Sequence, residues 1–188
     1  MDETSKQQIK ETRLPIPMKE GQEERYDYEY ERNGVSNIFM CFEPLAGKRY
    51  VKVTDQRKKI DWAELMKELV DVHYPDADKI VLVMDNLNTH TRGALYEAFK
   101  PEEALRILNR LEFHFTPKHG SWLNMAETEL SILSRQCLNR RISDQERLKA
   151  ETKAWEKDRN EKCLKVDWQF RTEDARIKLK RLYPSMQR

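Results

Sequence analysis

The stretch that most limits how this chain can fold is KIVLVMDNLNTH, Lys79 to His90. Ile80, Val81, Leu82, Val83 and Met84 form an unbroken apolar run rich in β-branched side chains, too short for a helix, and it reads as a strand buried on both faces. The run ends in a carboxylate, Asp85. Asn86, Asn88, Thr89 and His90 follow it, so the carboxyl end of the strand opens into a polar crevice, where open α/β sheets place their ligands.

The surrounding sequence limits what such a strand can belong to. A chain of 188 residues suits one domain, but 36% charged residues and a mean hydropathy of −0.91 leave its core lean. It contains no apolar span of membrane length and no leader-like start, so a soluble cytoplasmic protein is expected. Cys41, Cys137 and Cys163 are too scattered for a disulfide framework or a zinc site and read as reduced thiols. No repeat and no phosphate-cradling glycine loop is present. The net charge of +2 hides an imbalance: from Arg135 onward lysine and arginine are in surplus, and before it acids are. A basic tail beside an acidic half suits a polyanionic partner, although a solvated helical face would look the same.

Taken in order, Thr4 to Glu24 is polar, carries Pro15 and Pro17, and reads as a loop. Arg25 to Glu31 alternates like a half-exposed strand, Asn33-Gly34 signals a hairpin turn, and Ser36 to Phe42 and Arg49 to Thr54 complete an expected three-stranded meander. Asp61 to Tyr74 has helical spacing, as do Thr91 to Phe99 and Pro101 to Leu111, and Glu112 to Thr116 reads as another strand. A long helix follows, with Leu123, Ala126, Leu130, Leu133 and Cys137 on one stripe. Ser143 to Lys162 and a segment from Thr172 are further helices. The order predicts an α/β fold, a mixed sheet flanked by helices.

Chemistry is expected from carboxylates. Asp85 at a strand end and an acid early in the long helix could meet around a divalent cation, and Asp2 is the candidate for a third ligand of a two-metal site. Helix geometry leaves Glu127 and Glu129 equally eligible, because both flank the apolar stripe.

The blocks DNLNTHTRGALYEAF, EFHFTPKHGSWLNMAETELSILSRQCLNRRI and DARIKLKRLYP, with RYDYEYERNG, FEPLAG and LVDVHYPDA, resemble the DDE transposases of bacterial insertion sequences related to the mariner superfamily. The resemblance runs over essentially the whole chain. It implies a ribonuclease-H-like core at residues 1–142 with a basic helical extension at 143–188 packed on it. It also implies Mg²⁺-dependent cutting and rejoining of DNA at transposon ends, with two Mg²⁺ ions (Mn²⁺ as a substitute) held by Asp2, Asp85 and Glu127. DNA is the implied partner, and a homodimer is compatible with it.

Around these acids, Asn86, Asn88 and His90 are candidates to steady Asp85, and turn formation or a hydrogen-bonded loop is the plainer alternative. Lys118, His119, Arg135, Arg140 and Arg141 are candidate DNA contacts, the arginines as a strip continuing the long helix. Trp122 reads as a packing anchor. Relatives carry a DNA-reading helix-turn-helix and a first core strand ahead of the first aspartate. The expectation here is therefore a front-truncated chain with Asp2 on a mobile terminus, and a catalytically impaired remnant is the alternative function.

Overall fold

The computed structural model describes residues 1–117, 120–178 and 180. Three strands form an antiparallel sheet: β1 (Asp2–Glu11), β2 (Tyr30–Glu43) and β3 (Lys48–Thr54), in the order β1-β2-β3. The expected loop at Thr4 to Glu24 is thus a strand for its first third. Its polar composition misled because its side chains find polar partners: Ser5 Oγ meets Asn37 Oδ1 at 2.7 Å, and the Lys6 ammonium donates to Leu138 O at 2.6 Å. A strand needs backbone pairing, and apolar side chains only where nothing polar can answer.

The expected strand at Arg25 to Glu31 and the turn at Asn33-Gly34 are also corrected. Asn33 and Gly34 lie inside β2, with Gly34 at φ 97, opposite a register shift between Gln7 and Ile9. Glycine there supplies the left-handed conformation a bulge takes up, so the chain bends without reversing. The true connection between β1 and β2 is the long excursion over residues 12–29.

The sheet sorts its residues strictly. Asp2, Thr4 and Lys6 pair with Met40, Ile38 and Ser36 and share their face, while Glu3 and Ser5 share the other with Phe39 and Asn37. On the Phe39 face lies α1 (Lys59–Glu68), continued by a wide turn at Leu69–His73, with Trp62, Leu65 and Met66 buried. On the Ile38 and Met40 face lie α4 (Met125–Leu133), extended by a wide turn at Ser134–Leu138, and α5 (Gln145–Glu161). Leu130, Leu133, Leu148 and Trp155 fill this second core. The result is helices on both sides of a sheet.

A second sheet pairs β4 (Ile80–Met84) and β5 (Leu111–Phe115) in parallel; α2 (Arg92–Ala98) and α3 (Pro101–Arg110) connect them. Leu82 and Met84 enter the Trp62 core, but Val81 and Val83 are 61% and 44% exposed. β4 is therefore buried on one face, not two. The reason is a groove of about 460 Å³ lined by β2 at Cys41, Phe42 and Glu43, by β4, and by Leu123 to Ala126. β2 pairs with β1 only as far as Met40, and the two sheets meet at one described hydrogen bond, from Met1 N to Val83 O at 2.5 Å. Instead of one mixed sheet, the described residues form two.

The C-terminal region is tied on by charge. Arg49 of β3, completely buried, makes a two-toothed contact with Glu129 of α4 at 2.7 and 3.0 Å, and Arg159 of α5 reaches the same carboxylate at 3.3 Å. A short helix α6 (Thr172–Lys178) ends the described chain. All three cysteines are free thiols, and burial pushes Cys41 up to about 11. Among the described residues no helix is long and apolar enough to cross a membrane.

Candidate active site

Asp2, Asp85 and Glu127 come from three different elements: the first residue of β1, the residue after β4, and the first turn of α4. They line one cleft of about 520 Å³, between β1 and α4. One side chain ties two of these positions together. Asn124 caps α4 by accepting from Ala126 N at 3.2 Å, which sets where Glu127 stands, and its Nδ2 donates to Met1 O at 2.8 Å. With Met1 N bonded to Val83 O as well, Asp2 is held between β4 and α4. The expected mobile terminus is corrected: Met1 is 5% exposed and Asp2 pairs with Met40.

The cleft is electrostatically lopsided. Burial pushes the Asp2 carboxyl up to about 6; a hydrogen bond from Glu3 N opposes this, and the charges of Glu3 and Asp85 add to it. Along the same walls, Thr4 and Lys6 follow Asp2 on β1, and Ser131 of α4, then Ser134 and Arg135 of its wide-turn extension, follow Glu127. Both walls therefore run from acid to base in the same direction.

Behind Asp85 stands His90, 2% exposed. Its Nδ1 lies 2.9 Å from Asp85 Oδ1 and 3.3 Å from Asp85 O, and its Nε2 lies 3.0 Å from Glu3 Oε2. The Trp62 ring lies alongside, 5.9 Å between centroids. Burial works to lower the His90 pKa, but the Glu3 carboxylate in close contact, with Asp85 behind it, outweighs it and the net shift is upward. Glu3 was not singled out from the sequence, where it reads as one more acid in a charged start. Strand alternation would have found it, since the neighbour of Asp2 in β1 must face the opposite side.

The other expected positions separate. Glu129 lies in the buried pair with Arg49, whereas Glu127 is exposed on the cleft. Asn86 and Asn88 are exposed and make no side-chain hydrogen bond among the described residues, so nothing there steadies Asp85. The helical stretch ends at Leu138, so Arg140 and Arg141 do not continue it as a strip. Arg140 pairs with Glu151, and Arg141 pairs with Glu11 at 2.5 Å between the rings of Tyr26 and Tyr30. Arg135 does face the cleft. Lys118 and His119 lie outside the described residues. Trp122 packs edge-on against Phe170, as an anchor would.

The donors in the cleft are hard carboxylate oxygens, the kind Mg²⁺ takes, and Mg²⁺ needs only one or two of them beside water and substrate phosphate. Burial first, and the charges of Glu3 and Asp85 after it, disfavour the ionised Asp2 carboxylate, and a bound cation would offset both. As they stand, however, no three acids, histidines or cysteines among the described residues close around one point as a metal site.

Comparison with curated proteins and with solved structures yields no match. The family of DDE superfamily endonucleases matches residues 1–149, a span that includes β1, β4, α4 and all three cleft acids, and this chain belongs to that family.

Proposed function

We propose that the chain is the catalytic domain of an insertion-sequence transposase, ribonuclease-H-like in ancestry, that cuts and rejoins DNA at transposon ends. Asp2, Asp85 and Glu127 would hold its Mg²⁺ ions. The observation that carries this reading is the meeting of these three acids, far apart in sequence, in one cleft. A bound divalent pair supplies activation of the attacking hydroxyl and stabilisation of the leaving oxygen. The chain's own residues do the rest. Asn124 fixes the distance between the Asp2 and Glu127 walls, and Arg135, with Lys6 opposite, gives the far end of the cleft the positive charge a DNA backbone follows.

The test is nicking of supercoiled DNA with and without Mg²⁺. Asp85→Ala is expected to bring Mg²⁺-dependent nicking to background, and nicking equal to that of the parent would overturn the assignment. A second reading, DNA binding without cleavage, is favoured by the open spacing of the acids. It predicts retention of DNA by the parent chain with no nicking at any Mg²⁺ concentration.

A pH dependence follows from Asp2. Its carboxyl holds a proton up to about pH 6, well above the ordinary aspartate value of 3.8, so the folded state binds this proton more tightly than the unfolded chain does. This group's contribution to apo stability is therefore greatest in acid and declines as pH rises through about 6. Metal binding runs the other way, because the cation must displace the proton. Lowering the pH from 7 to 5 is expected to weaken Mg²⁺ binding about tenfold. Titration calorimetry at the two pH values checks this, with Asp2→Asn expected to flatten the dependence.

A further inference from the structure

Glu3 and His90 sit outside the cleft's ligand chemistry, yet they occupy some of the most protected space in the molecule. The Glu3 side chain is fully buried on the Phe39 face of β1, and Arg57 approaches its outer oxygen at 3.9 Å. His90 is fixed on three sides. Its backbone N donates to Leu87 O at 3.0 Å, its ring lies along Trp62, and its two nitrogens face carboxylates 2.9 and 3.0 Å away.

A buried imidazole between a fully buried carboxylate, Glu3, and a half-buried one, Asp85, is costly to assemble in a lean core, and packing alone does not call for it. Its contact with Asp85 also has a geometric consequence. Asp85 Oδ1 is shut away from solvent 2.9 Å from Nδ1, in a close contact that lacks hydrogen-bond geometry, while the same nitrogen lies 3.3 Å from Asp85 O; only Oδ2 is free to face the cleft.

We propose that Glu3 and His90 are positioning residues that brace Asp85, fixing its rotamer so that it presents a single oxygen, Oδ2, to a divalent cation. The inference rests on the metal-binding reading of the cleft. His90 Nδ1 is the part of the brace that touches Asp85, and Glu3 holds the far side of the ring. Partners that orient a ligand in this way are worth roughly 10- to 100-fold in metal affinity.

Two substitutions separate the nitrogens. The amide nitrogen of asparagine falls where Nδ1 lies in histidine, and that of glutamine where Nε2 lies. His90→Asn can therefore keep the contact with Asp85, and His90→Gln only the contact with Glu3. The probe is Mn²⁺, titrated into the full chain and followed by electron paramagnetic resonance below each variant's melting temperature, with Asp85→Ala as reference. His90→Gln is expected to lose roughly 10- to 100-fold in Mn²⁺ affinity, while His90→Asn stays within a few-fold of the parent. Glu3→Ala, which frees the far side of the ring, should fall between them.

A His90→Gln that binds Mn²⁺ as tightly as the parent, or a His90→Asn as weak as His90→Gln, overturns the brace even if both variants lose thermal stability. Failure of the underlying reading looks different: the parent itself then binds no Mn²⁺, or binds it no better than Asp85→Ala, and the brace falls with it.

Discussion

Glu129→Ala is expected to destabilise the protein by about 3–5 kcal/mol, the range for removing one partner of a buried ion pair. The cost arises because Arg49, with no exposed surface, keeps its charge in the interior and loses the one carboxylate that answers it among the described residues, at 2.7 Å. Its remaining contacts, to the carbonyls of Gly47 and Leu164 and to the face of the Phe42 ring, are with neutral groups. Arg159 loses the same partner, so the join between α5, β3 and α4 loosens at once. In a chain of this length the loss corresponds to a fall of about 10 °C in melting temperature. Thermal unfolding followed by circular dichroism checks it. A change under 1 kcal/mol would mean that water reaches Arg49 in solution.

Glu127→Gln, two residues away, is expected to do the reverse. Glu127 is exposed on the cleft, so the neutral isostere should leave unfolding of the metal-free protein within about 0.5 kcal/mol of the parent. What it should remove is the response to metal. If Glu127 is a ligand, Mg²⁺ at a hundred times its Kd stabilises the parent by about 2.7 kcal/mol, and the variant at the same concentration by a small fraction of that. Mg²⁺-dependent nicking should disappear with it. Equal Mg²⁺-induced shifts in melting temperature for variant and parent would remove Glu127 from the metal site.

The contrast between these two glutamates marks where helix periodicity stopped, and from the sequence only the family resemblance pointed to Glu127. Both flank the apolar stripe of the helix, and at about 100° per residue neither is favoured. The choice needs the identity of what lies opposite. β3 brings Arg49 to one side and β1 and β4 bring Asp2 and Asp85 to the other, and both encounters are long-range.

Local pattern, by contrast, located most elements. β4 and β5, α1 to α3 and α5 fall within a few residues of where periodicity and proline placed them, because each carries its own hydrophobic repeat and stop signals. β1 escaped because its partners for Ser5, Lys6 and Glu3 lie more than thirty residues away, so a strand stabilised by polar contacts looked like a loop.

By itself, then, the sequence determined an α/β chain with an acid at the end of its most apolar strand, since β-branched runs and turn residues act locally. The resemblance pointed to Asp2, Asp85 and Glu127, and spacing offered His90 beside Asp85; that the three acids line one cleft, that Glu129 is spent on an ion pair and that Glu3 stands on the far side of His90 were decided by the tertiary structure alone. Those outcomes depend on which strand faces which helix, and no window of neighbouring residues carries that information.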